Sequence, residues 1–340
     1  MRKRLSLLIG LLALNLVLLL IGGDRERDLA CRGPLCVGLV FDVGGLGDKS
    51  FNDAAYRGLV QAQKELGATV RYIEPGDGSD RESALRELVS QGYRLVFGVG
   101  FIFTDDLRKL AAEFPGTHFA CIDYSVVPGQ PPPPPNLAGL RFREQEGSFL
   151  VGAIAGLMSR SRVVGFVGGM EIPLIKKFEV GYQAGVAHVC PDCQVLVAYA
   201  GTEPKAFSDP VTGKELALTQ FGRGADIIYH ASGKTGVGVF TAAKSLGRWA
   251  IGVDSDQFRE APCCVLTSMV KNVDRAVVET VRAQAEGRFE GGVREAGLAE
   301  GQVGFVLDDN NRDRLPREVI ARVQDIARQI IAGSIRVPSP

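Results

Sequence analysis
The sequence predicts an α/β protein made of two doubly wound parallel-sheet lobes joined by a hinge. Three observations lead there. Short apolar runs recur with helical segments of about 10–15 residues between them, the pattern of βαβ units and parallel sheets. Glycine is abundant, at 42 residues, as suits a chain with many strand-to-helix turns. The length of 340 residues exceeds what one hydrophobic core usually serves, so two lobes are expected.

The elements follow in order. Cys36–Phe41 is a short, unbroken apolar run, as a strand buried on both faces should be. A helical pattern spans Ser50–Leu66, and a strand follows at Ala68–Ile73. Helix Asp80–Ser90 leads to strand Leu95–Gly98, and helix Asp105–Phe114 to strand His118–Ile122. The second half repeats the rhythm with strand Val163–Val167, helix Lys176–His188, strand Gln194–Tyr199 and helix Gly213–Phe221. Strand Asp226–His230, helix Gly236–Leu246 and strand Trp249–Gly252 complete it. Pro128-Gly129-Gln130 and the polyproline run Pro131–Pro135 read as a solvated loop that marks the join between the two series. The expected plan is an N-terminal segment and linker over 1–35, then a first lobe over 36–142 completed by about 268–300. A second lobe covers 143–267 and is completed by about 301–335.

Charge narrows the partners. Lys+Arg 39 balance Asp+Glu 39, which argues against a protein that coats nucleic acid or lies flat on acidic lipid. Apolar residues at 46% and charged residues at 23% exclude wholesale disorder. The apolar surplus is concentrated at the start. After Met-Arg-Lys-Arg, Leu5–Gly23 carries no charge, and 19 residues of helix span roughly a bilayer core. The three leading cations place the N-terminus inside and the body outside.

This run reads either as a membrane anchor or as a plain cleaved signal peptide, although Ile21-Gly22-Gly23 is a poor cleavage site. A third reading, lipidation at Cys31, suffers from Asp28 standing where a lipobox wants an aliphatic residue. All three put the body on the extracytoplasmic side of the cell membrane. Without residues 1–23 the body loses three cations and carries −3.

Seven cysteines are compatible with export. Cys190-Pro191-Asp192-Cys193 has no second pair and no clustered histidine to make a zinc site, so a local disulfide is expected. Cys31 and Cys36 lie five apart. Cys121 and Cys264 fall in apolar strands and are expected to pack as small core residues.

Ligands of doubly wound sheets bind outside the carboxyl ends of the strands. Asp42, Asp123 and Asp254 stand at three such ends, and together they suit a polar ligand with several donors. Any one alone would more commonly be a cap or turn aspartate. Two loops imitate nucleotide motifs and fail. Gly44-Gly45-Leu46-Gly47-Asp48-Lys49-Ser50 has Asp48 where a P-loop needs glycine, and the leading glycine before Gly233-Lys234-Thr235 would be Ile228. No nucleophile elbow occurs, and none of the three histidines falls beside a candidate nucleophile.

Gly47-Asp48-Lys49-Ser50-Phe51-Asn52, Phe142-Arg143-Glu144-Gln145-Glu146-Gly147-Ser148-Phe149-Leu150 and His230-Ala231-Ser232-Gly233-Lys234-Thr235-Gly236 share a further property. With Gly252–Gln257 and Ser268-Met269-Val270-Lys271, they resemble, in order, the blocks of the basic membrane protein (Bmp) family of solute-binding proteins. The resemblance runs from about Val37 to Ala332. It implies the type I periplasmic binding protein fold and a purine nucleoside receptor of an ABC importer, with permease and ATPase subunits on separate chains.

It also implies site roles. Phe51 and Phe207 would hold the base between them, and Asp123 would read it with Asp42 and Asn52 as polar neighbours. Asp254 and Lys271 would grip the ribose hydroxyls, and Gly233 would let the backbone approach the sugar. By composition alone Phe51 would be core packing and Lys271 a solvated helix-start lysine.

No cofactor, no metal, no nucleic acid and no catalysis are expected, and the chain is expected to act as a monomer. The rival readings are a receptor for another small polar ligand such as a sugar, and a nucleoside-cleaving hydrolase. A repressor of the same fold would need roughly 50–60 residues of DNA-binding helices before the first strand. Tyr124, the degenerate lipobox and the proline run before Asn136 depart from the family pattern.

Overall fold
The computed structural model describes residues 30–76 and 80–340. The anchor or signal segment expected within 1–35 falls, up to residue 29, outside the described residues. Among the described residues no helix is long and apolar enough to cross a membrane.

The first half of the chain forms β1 (Cys36–Val40), α1 (Phe51–Leu66), β2 (Thr69–Ile73), α2 (Arg81–Ser90), β3 (Leu95–Val99), α3 (Thr104–Glu113), β4 (His118–Ile122) and β5 (Leu137–Phe142). The second forms α4 (Glu144–Met158), β6 (Val163–Met170), α5 (Pro173–Val189), β7 (Gln194–Gly201), α6 (Pro210–Gly222), β8 (Ile227–Ala231), α7 (Gly236–Leu246), β9 (Trp249–Asp254) and β10 (Val265–Lys271). The chain ends with α8 (Val273–Ala285), β11 (Gly292–Ala296), β12 (Val303–Phe305) and α9 (Arg317–Ile331).

One sheet has the order β11-β5-β4-β3-β1-β2 and the other β12-β10-β9-β8-β6-β7. Set aside β11 and β12, and the two orders are the same path traced twice. All pairings are parallel except β12, which runs antiparallel to β10. The central strands β1, β3 and β8 are buried throughout, while the edge strand β2 is partly exposed. That is the burial expected where helices cover both faces.

The join between lobes is not at the proline run. Pro131–Pro135 connects β4 to β5 within one sheet, and Arg108 holds it through the carbonyls of Pro131 and Pro132. The chain instead changes sheets three times: between Phe142 and α4, between Lys271 and α8, and between β11 and β12. The return expected at about 268 thus comes after β10, which stays in the second sheet through Lys271.

Helix α4, absent from the elements expected above, is buried over most of its length and packs on α5. Glycines allow the contact: a Cβ on Gly152 or Gly185 would run into the carbonyl oxygen of Tyr182 or Phe149. Disulfides join Cys31 to Cys36 and Cys190 to Cys193, the second as expected. Cys121 is a buried free thiol in β4. Cys264 is buried too, but it lies just before β10 and is bonded to Cys263, so it is not a free core cysteine.

Candidate functional site
The first lobe contributes strand ends and the start of α1. Asp42 follows β1; its Oδ1 accepts from Val43 N–H at 2.6 Å, and its own N–H donates to Asn52 Oδ1 at 3.1 Å. Gly100 packs on this carboxylate, where a Cβ would meet Oδ2. Asp48, the residue that spoils a P-loop, caps α1 instead. Its carboxylate accepts backbone N–H groups of Ser50, Asn52 and Asp53 at 2.9, 2.8 and 3.1 Å, and Asn52 Nδ2 at 3.1 Å. The cap points a negative side chain at the positive end of the helix. It also fixes Phe51 and Asn52, the first two residues of α1, at the cavity wall.

Asp123 directly follows β4 with φ 62°, and Asp254 ends β9 with the same φ 62°. Aspartate tolerates this left-handed conformation better than most residues. Its repetition puts one carboxylate from each lobe at matching strand ends. In the second lobe, Phe207 closes a short turn over Pro204–Phe207 and lies against Gly169, while Gly233 opens the next turn with φ 54°. Lys271 ends β10.

All eight residues singled out in the sequence, Asp42, Phe51, Asn52, Asp123, Phe207, Gly233, Asp254 and Lys271, line one cavity between the lobes. Its empty volume is about 590 Å³ including the mouth. The same wall includes Asp48, Phe101 and Phe178, for which the sequence implied no place in the site. Phe178 sits on α5, a helix with apolar residues on most faces, so no pattern distinguishes its cavity side.

Lys271 is not the solvated lysine its composition suggests. It is 1% exposed, with Nζ 2.6 and 2.7 Å from the two oxygens of Asp123 and 3.1 Å from Glu144 Oε1. The rings of Phe51, Phe142 and Phe178 surround the ammonium with centroids at 5.0, 4.9 and 5.6 Å. Burial opposes its charge, but Asp123, Glu144 and Asp254 outweigh burial and hold its pKa above the usual lysine value.

Glu144 passes the chain of charges on to Lys177 at 3.3 Å, and Lys177 reaches Glu295 of β11 at 2.9 Å. The charges therefore run from the cavity to the hinge crossings. Burial raises Asp42 to about 7 and Asp254 to about 6, the latter restrained by Lys271 and Ser50. Burial also raises Asp123, against the pull of Lys271.

Four carboxylates and one already paired ammonium line the wall. Such a wall takes up a ligand rich in N–H and O–H donors and repels an anion. His230 stands behind the wall, fully buried and lowered by burial to about 4. Its Nε2 meets Gln257 Oε1 at 3.0 Å. Among the described residues no group of three or more His, Cys, Asp or Glu could hold a metal ion.

Two parallel-sheet lobes enclosing an acceptor-rich cavity between strand ends define the class: a solute-binding protein of the type I periplasmic binding protein fold. A solved solute-binding protein of an Aeropyrum pernix ABC transporter superposes with a TM-score of 0.81 at 30% identity, covering 90% of this chain and 94% of its own. The family model described as Bmp, ABC transporter substrate-binding protein PnrA-like, matches residues 36–339. The chain belongs to that family.

Among its relatives, the CD4+ T-cell-stimulating antigen of Listeria monocytogenes is 34% identical over 324 residues, 89% of this chain and 87% of the relative. The ABC transporter nucleoside-binding protein BmpA of Lactococcus lactis is 31% identical over 366 aligned positions, covering 100% of both chains.

Proposed function
We propose that this protein is an extracytoplasmic receptor that closes on a purine nucleoside and delivers it intact to the permease of an ABC importer. The observation that carries the reading is the meeting of Phe51, Phe207 and four carboxylates in one cavity between lobes. Two phenyl faces suit a flat purine, with stacking on the order of 1–3 kcal/mol per face. The carboxylates suit the N–H and O–H donors of base and ribose, and their excess disfavours a phosphate. The name of the Lactococcus lactis relative supports the same ligand class.

In this reading Asp123, Asp42 and Asn52 face the base, Asp254 and Lys271 face the ribose, and Gly233 lets its backbone approach the sugar. Preferential binding to the closed form drives closure, with no bond of the ligand broken. The N-terminal run tethers or exports the body.

Calorimetry with inosine, guanosine, adenosine and ribose tests the assignment, together with mass spectrometry of ligand released from the purified protein. One-to-one binding of at least one purine nucleoside, tighter than ribose, is expected. Tighter binding of ribose, or no heat with any nucleoside, rejects it in favour of another small polar ligand. Release of free base during incubation would make the protein a hydrolase.

A further inference from the structure
Ser50 is fully buried, and its hydroxyl crosses from one lobe to the other. It donates to Asp254 Oδ2 at 2.6 Å, joining the start of α1 to the end of β9. The contact is one of a set between the same two segments. Ser255 Oγ donates to Ser50 O at 3.0 Å, Arg57 Nη2 to Ser255 Oγ at 3.0 Å, and Gln257 Nε2 to Lys49 O at 3.1 Å. Gln257 is itself braced from behind, because its Oε1 accepts Val253 N–H at 2.8 Å and faces His230 Nε2 at 3.0 Å. With Oε1 accepting and Nε2 donating forward, the hydrogen on His230 must sit on Nε2.

Asp254 needs such help. Its backbone is left-handed, and the charged groups facing it are Lys271 from β10, Asp123 from the end of β4 and Asp48 from the loop before α1. Bringing the lobes together therefore moves two carboxylates of the first lobe toward a carboxylate of the second. The Ser50 hydroxyl is the donor that the first lobe supplies in return.

We propose that Ser50 is a positioning residue for the cavity: its hydroxyl, delivered from the first lobe, holds Asp254 Oδ2 so that Oδ1 is presented to the ligand. The acceptor wall of the second lobe is then completed by closure itself. Ser50 is not among the residues that line the cavity. The proposal rests on the reading of the cavity as a nucleoside site, but part of its test does not.

The test uses the full chain as wild type, Ser50→Ala, Asp254→Asn and the double variant, each titrated with inosine between pH 5.5 and 8.5. A hydrogen bond to a charged group predicts that Ser50→Ala weakens inosine binding about tenfold in the wild-type background. It should cost clearly less in the Asp254→Asn background, where the hydroxyl meets a neutral amide oxygen in place of a carboxylate. The affinity of Ser50→Ala should also fall off at higher pH than that of the wild type, because the carboxylate has lost a donor that favours its ionised form.

Equal losses in both backgrounds, or no loss in the wild type, overturn the proposal. Independently of any ligand, ¹³C NMR titration of the Asp254 carboxyl should move to higher pH in Ser50→Ala. An unchanged titration overturns the proposal even if inosine binds. Failure of the wild type to bind inosine, guanosine or adenosine rejects the nucleoside reading alone, and the carboxyl titration still decides the role of Ser50.

Discussion
Lys271 Nζ lies 2.6 Å from Asp123 Oδ1 and 2.7 Å from Oδ2, an ion pair that links the ends of β10 and β4 across the two sheets. Both partners are buried, so the pair is not a source of net stability over an apolar pair, but breaking it is costly. Lys271→Met leaves Asp123 and Glu144 buried with one cation fewer. It is expected to destabilise the protein by roughly 3–5 kcal/mol, read from urea unfolding, and to remove nucleoside binding. The double variant Lys271→Met/Asp123→Asn should recover part of the stability and none of the binding. A single variant as stable as the wild type would contradict the buried pairing.

Phe51 and Phe207 reach the cavity from opposite lobes. If both rings face the base, Phe51→Ala and Phe207→Ala should each weaken inosine by about 10–100-fold, as expected for loss of a stacking face. Ribose, which has no flat face, should be affected much less. Calorimetric titration of both ligands against both variants measures the difference. Equal losses for inosine and ribose would mean that the rings shape the lobes and do not stack.

Asp42 gives a signature in pH. Its pKa is raised by burial from 3.8 to about 7, and Asp254 is raised to about 6. A carboxyl with a raised folded value contributes stability that is full below its unfolded value and lost as pH rises through the folded one. Both groups therefore act against stability across the window from about pH 4 to 7. Asp42→Asn keeps the acceptor for Val43 N–H and removes one ionisation. Relative to wild type it should gain stability as pH rises through this window, by at most on the order of 4 kcal/mol at pH 8. Urea midpoints at unit pH steps test this, and parallel curves for the two proteins would reject it.

The strand ends were legible because parallel strands are unbroken apolar runs, so Asp42, Asp123 and Asp254 could be placed at the carboxyl edge from pattern alone. Phe51, Phe207 and Lys271 could not. A phenylalanine at a helix start or in a turn looks like core, and a lysine at a strand end looks solvated until Asp123 and Glu144 are seen around it. Phe178, Glu144 and Lys177 were missed for a different reason. They sit on α4 and α5, which are buried over much of their length, and their glycine-mediated contact leaves no polar stripe to read. A proline run reports a solvated loop and nothing about which strands it joins, so it does not mark the crossing, which falls at the 142/143 boundary of the expected plan. The true crossing after Phe142 carries no chain breaker at all.

Cysteine pairing offers a test of compartment as well as fold. The three bonded pairs are Cys31–Cys36, Cys190–Cys193 and Cys263–Cys264, leaving Cys121 as the free thiol. Cys121 is fully buried in β4 beside Thr104, and burial raises its pKa well above the usual thiol value, so it is unreactive in the native protein. Protein isolated from an oxidising compartment should show no thiol toward an alkylating reagent when native, one when denatured without reductant, and all seven after reduction. Peptide mapping should place the single alkylated residue at Cys121. Three thiols in the unreduced, denatured chain would mean that one of these pairs does not form, and mapping would identify it.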